Sequence, residues 1–365
     1  MLRVVWGFHA PLEYQIRVIF HLVYRKLGMT YLIRKCGKGK SLVMLGMATL
    51  LRGVTVVMVL LLCLGSNQVS KSRNRNNFIE AYHVDEFHQG DFEKLRKRLE
   101  TYSIANRSSI VIYISPQNLC SKSCWYKTLT TLARQGAISS FCIDEVHATV
   151  ENSDSFRLDF KSGVKLIQRL IAISNAYHPQ HKIPLLVMSA TFRIPEQQSF
   201  NKMIRRFPDL VEWGPMDKRS TGIFTKVFGD PLNEILNDSH DHTIKDPDSQ
   251  SLLYSNSAKT CDKSILNRLE SKWDGLPKAI REPEDGVMKE FVSLTGECGI
   301  MLKTYLMEAF CGENDLPDVT LPSIWCMPCT SAANCSVSSK WCSKCYQYGL
   351  PPNFYDLVQE IGRVN

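Results

Sequence analysis

The chain has 365 residues, 44% hydrophobic and 22% charged, with a formal net charge of +8. That is the composition of a folded globular protein too long for one ordinary core, and it excludes a disordered or fibrous chain. Charge is uneven, with 19 Lys and Arg against 7 Asp and Glu in residues 1–130 and 25 against 29 in the remainder, which suits either a polyanion partner or a set of solvated helices such as DFEKLRKRLE (91–100).

The opening stretch MLRVVWGFHAPLEYQ has helical spacing broken at Pro11 and no small-residue cleavage site, so no leader peptide is expected. MTYLIRK (29–35) reads as a strand, and RKCGKGKSL (34–42) follows it into a helix. This is the context of a phosphate-binding loop, in which glycines let backbone N–H groups reach phosphate, a lysine adds charge and a hydroxyl holds a metal ion. The full pattern begins with glycine where Arg34 stands, so a basic turn remains open. VTVVMVLLLCLG, from Val54, is apolar over about a dozen residues, short of the roughly 18 a membrane span needs. It reads as a buried strand, and an intracellular protein without membrane association is expected. SIVIYIS (109–115), SSFCIDE (139–145) and PLLVMSA (184–190) add strands, separated by helical spacings in YKTLTTLARQG and VKLIQRLIAISNA. Strands alternating with helices predict an α/β fold with a parallel sheet covered on both faces. After VEWGPMDKRST a second α/β unit is predicted, with strands GIFTKVF (222–228), SLLYSNS (251–257) and SIWCMPCTS (323–331) and helices over 257–272 and 299–310. NDSHDHTIKDPDSQ (237–250) is polar and poor in apolar residues and reads as a loop, as does SKWDGLPKAIREPEDG (271–286).

FCIDEVHAT (141–149) puts two carboxylates and a histidine directly after an apolar run. Taken alone they could simply end a strand. Downstream of a phosphate loop they stand where a P-loop ATPase keeps its Walker B carboxylates. In that reading Gly37, Lys38, Gly39, Lys40 and Ser41 cradle ATP, Lys40 facing the β and γ phosphates. Ser41 and Asp144 hold Mg²⁺, and Glu145 orients the hydrolytic water.

In this order the segments resemble a superfamily 2 helicase of the DExH type, and specifically the RecQ family, over nearly the whole chain. WGFHAPLEYQ resembles the family's adenine-recognition segment, with Gln15 at its glutamine. GVTVVMVLLLCLGSNQVSK resembles motif Ia without its usual proline, and VIYISPQNL resembles the segment around motif Ib, with Ser115 and Pro116 at the positions that meet the nucleic-acid backbone. MSAT resembles motif III through Ser189 and Thr191, which with His147 would couple the ATP site to nucleic acid. HATVENSDSFR resembles the family's aromatic-rich loop: Phe156 and Arg157 match, whereas Glu151 and Asn152 replace its glutamine and tryptophan. Asn152 has no ring on which to stack a base. SLLYSNSAKTCDKSILNRL resembles motif IV, and TSAANCSVSSKWCSKCYQYGLPP motif V with Asn334 and Ser336 in place of two glycines. NFYDLVQEIGRVN resembles motif VI, with Gln359, Gly362 and Arg363 at its Gln-x-x-Gly-Arg; a further family arginine would fall just past Asn365.

The resemblance implies two tandem RecA-like parallel-sheet domains, about 1–214 and 215–365, the second incomplete at its C-terminus. It further implies ATP with Mg²⁺ in a cleft between them, and DNA, single-stranded or forked duplex, translocated 3′ to 5′. The expected location is the nucleus, with the cytoplasm as alternative, in DNA repair or recombination. Two other functions stay open: a nucleotide- or nucleic-acid-binding protein without a motor, and a zinc-stabilised interaction module. The last rests on Cys326, Cys329, Cys342 and Cys345, spaced C-x₂-C-x₁₂-C-x₂-C like a zinc ribbon. The helicase register instead makes them strand residues acting as small core hydrophobes, so zinc is not expected.

Overall fold

The structure is a computed structural model, which describes residues 11–25, 28–35, 38–59, 69, 79–86, 89–102, 108–147, 154–214, 230–246, 249–273, 289–295, 297–298, 300–311, 323–330 and 342–349. The chain divides into two compact units, Met1–Met216 and Asp217–Asn365.

In the first unit seven strands form one sheet: β1 (Met29–Ile33), β2 (Gly53–Met58), β3 (Ile79–His83), β4 (Ser109–Ile114), β5 (Ile138–Ile143), β6 (Leu185–Ser189) and β7 (Leu210–Trp213). Their order is β3-β4-β2-β5-β6-β1-β7, and every pairing is parallel. Strands β1, β2, β4, β5 and β6 are buried at every position, which is why each reads as an unbroken apolar run. Alternate residues enter opposite cores, Tyr31 and Ile33 one, Leu32 the other. Helices α1 (Glu13–Val23) and α2 (Lys40–Leu51) cover one face through Val18, Leu22, Val43 and Met47. On the other face lie α3 (Gln89–Glu100), α4 (Trp125–Arg134), α5 (Asp154–Tyr177) and α6 (Ile194–Ile204), anchored by Leu99, Leu129, Phe160 and Phe200. Helix α2 is apolar almost all round because it lies between α1 and the sheet. No helix among the described residues is long and apolar enough to cross a membrane.

The second unit has four parallel strands, β8 (Gln250–Ser255), β9 (Lys289–Phe291), β10 (Ser323–Cys329) and β11 (Cys342–Tyr348), in the order β11-β8-β10-β9. Its helices are α7 (Pro231–Lys245), α8 (Leu266–Trp273), entered through a π-helical turn at Thr260–Ile265, and α9 (Ile300–Cys311). The expected strand at 222–228 lies outside the described residues. The loop expected over 237–250 is instead largely helix α7. Asp230 caps it, accepting from the Asn233 N–H at 3.2 Å, and Pro231 begins it. Its buried stripe is Leu232, Leu236, Ser239 and Thr243. Two of those four are hydroxyl residues, so the apolar count that signals a helix is absent.

The zinc reading fails on topology. Cys326 and Cys329 lie on β10, and Cys342 and Cys345 on β11, with β8 hydrogen-bonded between them. The two pairs are therefore two strand spacings apart, roughly 10 Å, where zinc needs four sulfurs within about 2.3 Å of one point. Cys326 packs with Leu232, Leu253 and Ile265, and burial pushes its thiol up to about 11. Among the described residues no group of three His, Cys, Asp or Glu is placed to hold a metal ion. The purified chain is expected to melt at the same temperature with and without a strong chelator, and to carry far less than one zinc per chain by elemental analysis. A full equivalent of zinc, lost together with stability, would overturn this strand placement.

Candidate functional site

Because the sheet is parallel, the loops that follow β1, β5 and β6 all leave the same edge, and those three strands are neighbours in the order β5-β6-β1. Three sequence motifs 34–42, 144–147 and 188–191 are thereby brought to one edge, the place where open α/β sheets take ligands.

After β1 the chain turns through Gly39, in the left-handed region at φ +78°, and enters α2 at Lys40. A side chain at Gly39 would be strained by that φ, and its Cβ would stand 2.5 Å from Gln15 Nε2. Lys40 Nζ donates to the carbonyl oxygens of Arg34 at 2.8 Å and Lys35 at 3.4 Å, so the ammonium lies over the loop's own backbone. Helix α1 braces the loop from outside. The Tyr14 hydroxyl donates to the Lys38 carbonyl, and Gln15 Nε2 donates to the Gly39 carbonyl at 3.2 Å. Gln15 Oε1 accepts from the Leu12 N–H at 2.8 Å. Gln15, expected to read adenine, is thus buried with both ends of its amide on this chain's backbone. Gly37 lies outside the described residues.

After β5 the backbone is pinned on both sides, the Asp144 N–H to the Met58 carbonyl at 3.1 Å and the Val146 N–H to the Met188 carbonyl at 3.2 Å. Between them Glu145 takes a left-handed φ of +52°, uncommon for a residue with a side chain. Its N–H is satisfied by Asp144 Oδ1 at 3.0 Å. Both carboxylates and His147 are buried, at 6%, 6% and 4% exposure. His147 Nδ1 lies 2.8 Å from Ser189 Oγ and 3.3 Å from Glu145 Oε2. The Ser189 hydroxyl spends its single proton on the Thr191 carbonyl and accepts from the Thr191 N–H at 3.1 Å. Its contact with His147 therefore requires the imidazole to donate, which assigns the proton to Nδ1. Hydrogen bonds thus run from His147 to Ser189 and on to the Thr191 backbone, with Glu145 Oε2 in contact with the imidazole.

Ser115 and Pro116 follow β4, two strands from β5. The Ser115 N–H donates to Asp85 Oδ2 at 2.7 Å, its hydroxyl donates to Asp85 Oδ1, and Asn118 Nδ2 donates to Oδ1 at 2.6 Å. The polar groups of Ser115 expected to meet nucleic acid are thus held by Asp85. Burial pushes the Asp85 carboxyl up, and the hydrogen bonds from His83, Ser115 and Asn118 outweigh it, leaving it below its ordinary 3.8. A depressed carboxyl stabilises the fold fully above its unfolded value, and that contribution disappears as pH falls through the folded one. Asp85→Ala is expected to cost about 1–3 kcal/mol at neutral pH by leaving these buried donors unpaired, with the difference shrinking in acid. Chemical denaturation at both pH values checks this; an equal cost at both would mean that the carboxylate's charge is irrelevant.

Phe156 and Arg157 fall in the first turn of α5, but their side chains lie outside what is described, and so do Glu151, Asn152, Gln359 and Arg363. Tyr14, Asp85 and Glu212 were not anticipated. Glu212, on β7, takes Arg17 on both oxygens at 2.8 and 2.9 Å and Arg34 at 2.6 Å. A cavity of about 310 Å³ lies beside this cluster, lined by Tyr14, Arg17, Arg34, Lys35 and Lys38 among others. A second cavity, of about 370 Å³ between α3 and α4, is lined by none of the candidate residues.

No family model matches the chain. Over 193 residues, 52% of the chain, it is 27% identical to an ATP-dependent DNA helicase RecQ from a Synechocystis species, and the match spans 36% of that protein's length. Two solved structures share its fold across 98% of the chain. S. cerevisiae Dbp5 bound to RNA and ADP BeF3 is 14% identical, with a TM-score of 0.63 and 81% of that chain covered. The DEAD-box helicase Mss116 bound to ssRNA and UDP-BeF is 15% identical, with a TM-score of 0.66 and 68% covered. The fold matches the tandem RecA-like domains of helicases, with the smaller sheet second.

Proposed function

We propose that this chain is an ATP-hydrolysing nucleic-acid motor of helicase superfamily 2, of RecQ type, acting on DNA in the 3′ to 5′ direction. The observation that carries the reading is the buried Asp144–Glu145 turn, joined through His147 to Ser189 at the same sheet edge as the Lys40 loop.

In this reading the loop N–H groups and the start of α2 receive the phosphates. Lys40 exchanges the Arg34 and Lys35 carbonyls for phosphate oxygens. Gln15 supports the Gly39 end of the loop and meets adenine only by releasing the Gly39 carbonyl. Ser41 and Asp144 supply oxygen donors, the set a hard divalent cation takes, and Mg²⁺ commonly uses only one or two protein oxygens beside its nucleotide. Such an ion neutralises developing phosphate charge. Glu145 orients the attacking water, and the His147–Ser189–Thr191 path carries the state of the nucleotide to the nucleic-acid side. Ser115, Pro116, Phe156 and Arg157 are the proposed nucleic-acid contacts, and Gln359 and Arg363 the proposed phosphate contacts from the second unit. A nuclear location suits this activity.

RNA is the competing substrate, since the two solved neighbours are described with RNA. Steady-state ATP turnover with no nucleic acid, with single-stranded DNA and with single-stranded RNA tests the proposal. Stimulation by DNA supports the RecQ reading, and stimulation by RNA alone replaces it with an RNA motor. Nucleotide binding without turnover under any condition would leave a binding protein and sink the motor.

A further inference from the structure

The full phosphate-loop pattern opens with glycine. This chain has Arg34 at that position, and its side chain is packed rather than solvated. The guanidinium lies 4.1 Å over the Tyr14 ring, and its Nη2 meets Glu212 Oε1 at 2.6 Å. Along its length it runs against Gly214, where a Cβ would stand 2.2 Å from Arg34 Cδ. Main-chain bonds hold the same residues: the Arg34 N–H donates to the Ser189 carbonyl at 3.0 Å and the Gly214 N–H to the Ile33 carbonyl at 2.8 Å. The Arg34 carbonyl is the nearer of the two oxygens on Lys40 Nζ.

We propose that Glu212 is a positioning residue for nucleotide binding: by clamping the Arg34 side chain between Tyr14 and Gly214 it fixes the carbonyl that orients Lys40. The inference rests on the nucleotide reading above. Glu212 touches no phosphate; it acts through Arg34. Tyr14 completes the clasp at the other end of the loop through the Lys38 carbonyl. Gly214 is part of the device, because any side chain there displaces the arginine that Glu212 holds.

The dependence has a signature that a merely structural role lacks. If Glu212 acts through Arg34, its substitution should cost nothing further once the Arg34 side chain is gone. The experiment is equilibrium binding of a fluorescent ATP analogue with Mg²⁺ to the full chain and to Glu212→Gln, Gly214→Ala, Arg34→Gly and the Arg34→Gly/Glu212→Gln pair, each with its melting temperature. Glu212→Gln and Gly214→Ala are expected to weaken binding by roughly fivefold or more, the coupling range of residues in one network. Arg34→Gly should weaken binding to a similar extent, and the pair should bind as Arg34→Gly does. Parent-like affinity in a folded Glu212→Gln overturns the proposal. So does a double variant weaker than Arg34→Gly by the full cost of Glu212→Gln, which would place the effect in Arg17 and α1. Failure of the unaltered chain to bind nucleotide at all is a different result, and it removes the nucleotide reading itself.

Discussion

Glu145→Gln is expected to bind nucleotide at close to the parent affinity and to lose turnover by a factor on the order of 10²–10⁴, the range for removing a group that positions or deprotonates a nucleophile. The substitution keeps the size of the side chain and its buried place at the end of β5. It changes the close neighbour of His147, 3.3 Å from Nδ1, from a carboxylate that can only accept to an amide that presents either a carbonyl or an NH₂ group. His147 retains Ser189 as an acceptor at 2.8 Å, so the turn is expected to stay folded. Single-turnover ATP hydrolysis beside nucleotide binding distinguishes the outcomes. Full turnover in this variant would show that another base serves, and would leave the strained Glu145 backbone at φ +52° without a chemical reason. Loss of binding together with turnover would make Glu145 a metal-site or folding residue instead.

What the sequence made legible follows from how the parallel sheet buries its strands. β1, β2, β4, β5 and β6 are covered on both faces, so local composition alone betrays them. β3, with alternate positions half-buried, and the edge strand β7 carry a weaker signal and were not anticipated. The GKGKS loop and the carboxylate pair were readable because each is a compact string directly after such a strand. The residues that brace them were not. Glu212 lies 178 positions from Arg34 and Asp85 30 positions from Ser115, and only the strand order makes them neighbours. Cys326, Cys329, Cys342 and Cys345 show the converse: a spacing that resembles a metal ribbon in one dimension is divided by β8 in three. Helix α7 was hidden because Ser239 and Thr243 carry half of its buried stripe.

Lys40→Ala should fail one step earlier than Glu145→Gln. Its ammonium is the charge at the head of α2, held 2.8 Å from the Arg34 carbonyl and 3.4 Å from that of Lys35. Those bonds are local to the loop, so alanine removes little from the core of the first unit, and the melting temperature without nucleotide should barely change. With nucleotide the difference is large, because a triphosphate brought against a loop without that cation leaves its β and γ oxygens short of a charged donor. Loss of one partner of a desolvated charged pair costs about 2–5 kcal/mol, which at 1.4 kcal/mol per decade is roughly 30-fold to a few thousandfold in affinity. The ligand-induced rise in melting temperature should vanish with it, since that rise is set by the ratio of nucleotide concentration to Kd. Binding isotherms and melting curves on the same samples separate the two claims. Unaltered affinity in a folded Lys40→Ala would mean that GKGKS is a basic turn and not a phosphate cradle. The Asp144–Glu145 turn would then be a buried polar network without a substrate to act on.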